Sequence, residues 1–109
     1  MNQERYHQAT KLFQVLSHEA RLHILNALRT DEACVCHLQT VLGRPQAYVS
    51  QQLRVLRDEG LVIDRREGTL VYYRLANAQV ERLLEEALGP AEKPVCVAGC
   101  PCPRCQTRR

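Results

Sequence analysis

Six cysteines fall into two groups along this chain. Cys34 and Cys36 are one residue apart, while Cys96, Cys100, Cys102 and Cys105 form a Cys-x3-Cys-x-Cys-x2-Cys array stiffened by Pro101 and Pro103. Thiolates at such spacings bind soft metals and metalloids, or oxidise to disulfides. The first residues, Met1 to Lys11, are polar and mixed in charge with no apolar stretch behind a basic flank, so no secretion signal is expected. The chain is therefore read as cytoplasmic, with reduced thiols whose clustering points to metal ligation or redox chemistry rather than structural disulfides. No apolar run reaches the ~20 residues that span a bilayer, so no membrane partner is expected.

The elements that must position these thiols can be read from periodicity. Tyr6, Ala9, Leu12, Phe13 and Leu16 recur at helical spacing. Ser17 is a candidate N-cap for a second helix, Glu19 to Leu28, with Ala20, Ile24, Leu25 and Leu28 on one stripe. After a break at Thr30 to Ala33, a short third helix turns Val35, Leu38, Val41 and Leu42 inward and ends at Gly43. Pro45 starts a fourth helix, Gln46 to Glu59, with Val49, Leu53 and Leu56 on its core face and Gly60 as its stop. Leu61–Arg65 and Thr69–Leu75, rich in Val, Ile, Tyr and Thr, flank Arg66-Glu67-Gly68 and predict a β-hairpin with an exposed, charged tip. Asn77 caps a last helix with Val80, Leu83, Leu84, Ala87 and Leu88 on one face.

At 109 residues and 12.5 kDa the chain has room for one domain and a short appendage. The division falls at Gly89: residues 1–88 form the domain, and 89–109 hold four of the five prolines and four of the six cysteines. That tail has too few apolar side chains to fold by burial; it is either disordered or ordered by metal bound to its cysteines. The net charge of +3 lies wholly in the tail, which leaves the body neutral.

Helix, glycine turn, helix and hairpin, in that order, make a mainly α winged helix-turn-helix with a β-hairpin wing (an α+β arrangement), whose second paired helix enters the major groove of DNA. The outward side of that helix carries Gln46, Ala47, Tyr48, Ser50, Gln51, Arg54 and, near its edge, Gln52. Gln pairs bidentately with adenine and Arg with guanine, while Ser serves base or phosphate. Arg65 and Arg66, placed at the hairpin tip, are candidates for the backbone or the minor groove. A solvated polar face is the alternative.

Several segments in order carry a family resemblance: His18-Glu19-Ala20-Arg21-Leu22-His23-Ile24-Leu25, Cys34-Val35-Cys36-His37-Leu38-Gln39, Val49 through Val62, Arg66-Glu67-Gly68 and Tyr72-Tyr73-Arg74-Leu75. Together they resemble the ArsR/SmtB family of metal-responsive repressors over residues 5–88. The resemblance implies a homodimer joined through the first and last helices. It also implies operator binding without inducer, at an imperfect palindrome near the chain's own promoter, and release when inducer binds. The physical pattern agrees, because the first and last helices have apolar faces that a body this small does not bury alone.

Family members that sense arsenite, antimonite, cadmium or lead carry Cys-Val-Cys-Asp-Leu at the third helix, often with a further cysteine. Here His37 replaces the Asp, Gln39 stands where a third cysteine could be, and the N-terminal arm has none. Residues two apart in a regular helix diverge by ~200°, but at a helix start the first is not yet helical, so the two sulfurs can converge. The positive end of the helix dipole favours their thiolates. Two thiolates hold a trivalent metalloid poorly, so a third donor is needed. Cys96, Cys100, Cys102 or Cys105, from either protomer, could complete the site with Cys34 and Cys36. Alternatively the tail holds its own ion, as a four-thiolate zinc knuckle or a separate three-thiolate metalloid site. His37 is expected to be solvated, and the family's other site, on the last helix, is absent because Asn77 to Leu88 contains no His. The expected activity is repression relieved by a thiophilic ion, with arsenite or antimonite first and Cd, Pb or Zn as alternatives. A thiol redox switch in the same fold and a metal-buffering tail are the rivals; an enzyme is not expected.

Overall fold

The computed structural model describes residues 3–92. Five helices surround a small antiparallel sheet. They are α1 (Gln3–Leu16), α2 (Glu19–Ala27), α3 (Val35–Leu42), α4 (Gln46–Asp58) and α5 (Ala78–Leu88). The strands are β1 (Ala33–Cys34), β2 (Val62–Glu67) and β3 (Leu70–Leu75), in the order β1-β3-β2. No helix among the described residues is long and apolar enough to cross a membrane.

The core sits where α2, α3, α4 and α5 converge on the root of the hairpin. Ile24, Leu25, Leu38, Val49, Leu53, Leu56, Val62 and Val80 are fully buried there, which accounts for the apolar spacing of each helix. Gly43 closes α3 in the left-handed conformation at φ +66°, its N–H donating to the Gln39 carbonyl at 2.9 Å. Pro45 then stands just ahead of α4, as its cap residue. Asn77 accepts from the Val80 N–H at 3.0 Å and caps α5 as expected.

Three local expectations need correction. Ser17 does not cap α2: its N–H still donates to the Phe13 carbonyl at 2.9 Å, so it completes the last turn of α1, and extended His18 opens α2. The residues before α3 are not all loop, because Ala33 and Cys34 add a third strand to the sheet by pairing with Tyr73 and Tyr72. The hairpin is longer than expected. β2 runs through Glu67, which pairs with Leu70 across a two-residue turn with Gly68 at φ +63°. Arg65 and Arg66 therefore lie within a strand and not at the tip.

One apolar surface stays open. Tyr6 and Phe13 on α1 are each 57% exposed, and Leu88 on α5 is 48% exposed. Between these two helices runs a groove of about 630 Å³ whose lining includes Leu12, Phe13, Leu61 and Leu83.

Candidate functional site

The α3–α4 pair fixes one helix on the core and turns its far side outward. With ~100° per residue, Val49, Leu53 and Leu56 define an inward sector, and Ala47, Gln51 and Arg54 fall opposite it. Gln46, Ala47, Gln51 and Arg54 are exposed, while Tyr48 and Ser50 are half-buried. Arg44, in the turn before α4, lies over the Tyr48 ring with its guanidinium carbon 4.3 Å from the centroid. Arg44, Tyr48, His18 and His23 line a shared hollow of about 310 Å³ at the start of the helix. This corner, which Glu19 also lines, was missed from sequence because Arg44 reads as turn composition.

Gln52 does not belong to the outward set. It is 6% exposed, and its Oε1 accepts from Arg21 Nε at 2.9 Å, while Arg21 Nη1 donates to the Val15 carbonyl at 3.3 Å. The reason is angular: on α4, Gln52 falls only ~60° from Val49 and ~40° from Leu56, inside the apolar sector. Arg21 supplies the partner that a buried amide requires.

On the wing the two arginines have different surroundings. Side chains alternate along a strand, so Arg65 and Arg66 point to opposite faces. Arg65 donates to Glu32 Oε1 and to Glu67 Oε2, each at 2.6 Å, and lies over the Tyr72 ring. Both carboxylates push its guanidinium further above the ordinary arginine range, so it is a fixed cation. Arg66 is exposed and, like Arg54, has no ion pair among the described residues. Of Arg65 and Arg66, the latter is available to an incoming anion, as is the exposed Arg74 on β3.

Cys34 and Cys36 straddle the beginning of α3. Cys34 is its N-cap residue, extended at φ −82° and ψ 166°, and is buried; Cys36 lies in the first turn and is half-buried. They pack on Tyr72 and Leu70 of β3 as a small cluster separate from the main core. Because Cys34 is not yet helical, its side chain escapes the divergence of a regular turn. His37, expected to face solvent, is instead buried at 2% exposure, since it follows Cys36 on the side of α3 that meets the body. No group of three or more His, Cys, Asp or Glu side chains that could hold a metal ion occurs among the described residues. Cys96, Cys100, Cys102 and Cys105, the expected source of a third donor, lie outside the described residues.

Comparison with known proteins places this geometry in a family. The family model "bacterial regulatory protein, arsR family" matches residues 18–64, from the start of α2 into β2. The chain is 38% identical over 86 residues to a transcriptional repressor SmtB homolog from Synechocystis, covering 79% of this chain and 65% of that protein. It is 40% identical over 81 residues to the arsenical resistance operon repressor of Escherichia coli, covering 71% and 69% of the two chains. Thus the chain spans about two thirds of the length of these relatives. Among solved structures, the homodimeric winged helix-turn-helix DNA-binding domain of Mb0332 from Mycobacterium bovis superposes with a TM-score of 0.69 at 35% identity, over 76% of this chain and 77% of that one. A winged helix with its reading helix exposed, matched along most of its length to transcriptional repressors, makes this chain a member of the ArsR family of bacterial transcriptional regulators.

Proposed function

We propose that this protein is a cytoplasmic, dimeric repressor that binds an imperfect palindrome near its own promoter and lets go when a thiophilic ion, arsenite or antimonite first, is bound through Cys34 and Cys36. The observation that carries the reading is the position of the thiol pair. It sits at the first turn of α3, the helix that supports reading helix α4, and packs on the wing strand β3. A ligand there acts at once on the wing strand and on the helix that supports α4.

Ala47, Ser50, Gln51 and Arg54 are the groove-facing residues of this reading, with Gln46 and Tyr48 at the leading end and Arg66 on the wing. The two thiols fit a soft ion. They supply two donors, so a tail cysteine from either protomer completes the site; a separate ion in the 89–109 tail is the other arrangement. Cd, Pb and Zn remain competing ions for the same donors. If relief of repression takes about 100-fold weaker operator affinity, the coupling is ~2.7 kcal/mol, within the ordinary range for two linked sites.

The test is operator binding by the full chain on its own promoter, with and without each ion. Arsenite should weaken wild-type binding, while Cys34→Ser and Cys36→Ser should keep operator affinity and lose the response. A chain ending at Gly89 should lose it too if the tail donates, and respond normally if it does not. Mass spectrometry separates ion sensing from redox sensing: bound arsenic without a disulfide supports the proposal, and a disulfide with no bound element overturns it.

A further inference from the structure

The thiol pair and the wing are joined by one row of side chains across the sheet. Cys34 on β1 is paired with Tyr72 on β3, and Tyr72 with Arg65 on β2. Directly paired residues on neighbouring strands project to the same face. Here they stack: Cys34 is buried against Tyr72, and the Arg65 guanidinium carbon lies 4.8 Å from the centre of the same ring.

A second link runs along the chain. Glu32, two residues before Cys34, accepts from Arg65 Nη2 at 2.6 Å and from Nε at 3.4 Å. Its side chain is 15% exposed, against 66% for Glu67, so the Glu32 bond is the one shielded from water and salt. Glu67 lies on the same hairpin as Arg65 and ties the wing only to itself. Glu32 ties it to the thiol segment. That segment joins the sheet through two residues alone, since β1 is a two-residue edge strand paired at Ala33 and Cys34. Cys34 and Cys36 share their seat on Tyr72 and Leu70, so an ion held by both sulfurs acts on the residue to which Glu32 is joined through Ala33.

From this we infer that Glu32, Tyr72 and Arg65 are positioning residues that carry the state of the thiol pair to the wing. With the thiols free, the Glu32–Arg65 pair holds the wing in its DNA-binding attitude; ligation of Cys34 and Cys36 breaks the pair and releases it. The inference rests on the sensor reading above and deepens it by naming the path.

The sign of one substitution separates this path from simple electrostatics. Glu32→Gln removes a negative charge beside the wing, so charge alone predicts tighter DNA binding. The positioning role predicts the reverse. The experiment measures, for the full chain, affinity for the promoter duplex with and without saturating arsenite, and arsenite binding itself by thiolate-to-arsenic absorbance. Glu32→Gln should bind arsenite as wild type does, bind the duplex about 30-fold more weakly without arsenite, and show no more than about a 3-fold further loss with it. Glu67→Gln, which removes the same charge from the wing, should not weaken duplex binding and should keep the wild-type arsenite response. Should Glu32→Gln not fold, Arg65→Met breaks the same bond from the exposed side and should show the same loss of response. Tighter duplex binding or an unchanged arsenite effect in Glu32→Gln overturns the inference, as does an equal loss in Glu67→Gln. An arsenite effect missing from the wild type overturns the sensor reading itself, a result visible before any variant is compared.

Discussion

Gln51 and Gln52 are neighbours in sequence and ~100° apart around α4, enough to leave one in solvent and place the other beneath Arg21. Their substitutions should therefore fail in different ways. Gln51→Ala removes an amide able to read adenine, so it should leave thermal stability unchanged and cost ~1–3 kcal/mol at one operator position, seen as relaxed base preference there. Gln52→Ala strands the Arg21 guanidinium and should cost ~1–3 kcal/mol of folding stability in urea unfolding, with base preference retained. The cations divide in the same way. Arg66 and Arg44, if they meet phosphate, should each lower the slope of log affinity against log salt by ~1 when changed to Ala. An unchanged slope in both variants would remove the wing and the α4 corner from the DNA surface.

Among the elements, the helices were legible because they repeat apolar residues at 3.6-residue spacing, and because a glycine follows α3, α4 and α5 and an asparagine caps the start of α5. Asn77 is an example: its side chain takes up the Val80 N–H, and Asn77→Ala should lower stability by ~1 kcal/mol. What the sequence concealed were features made by pairing between distant segments. Strand β1 is two residues long and has no alternation to read; it exists because Ala33 and Cys34 meet Tyr73 and Tyr72. The wing ran two residues further than expected because Arg66 and Glu67 look like turn residues by composition, yet pair with Val71 and Leu70. For the same reason the thiol pair was legible as a motif, while its seat on Tyr72 and the Glu32–Arg65 bond were not. Arg29 shows the effect again. It follows α2 closely, its side chain is 2% exposed, and it donates to Asn26 Oδ1, Glu85 Oε2 and the Gly89 carbonyl, binding the end of α2 to the end of α5. Through it the end of the domain, from which the cysteine array departs, is anchored to the body.

At the scale of the whole molecule, the exposed apolar side chains on α1 and α5 bear on the proposed reading of a long DNA site. A single protomer offers one α4 to the groove. A two-fold dimer offers two, roughly one helical turn apart, ~34 Å, which matches an imperfect palindrome. The groove between α1 and α5 and the exposed Tyr6, Phe13 and Leu88 fit a second copy of the same surface, and the Mb0332 domain of similar fold is homodimeric. Phe13 is 57% exposed within one chain, so Phe13→Glu places a charge in the interface without disturbing the protomer's own core. That variant should keep its helical circular dichroism, sediment near the monomer mass of 12.5 kDa, and bind the full promoter site at least ~100-fold more weakly, while a half-site duplex is bound about as well as by wild type. A Phe13→Glu protein that still sediments as a dimer would move the interface away from α1. It would also take with it the explanation for why these aromatic side chains stand in water.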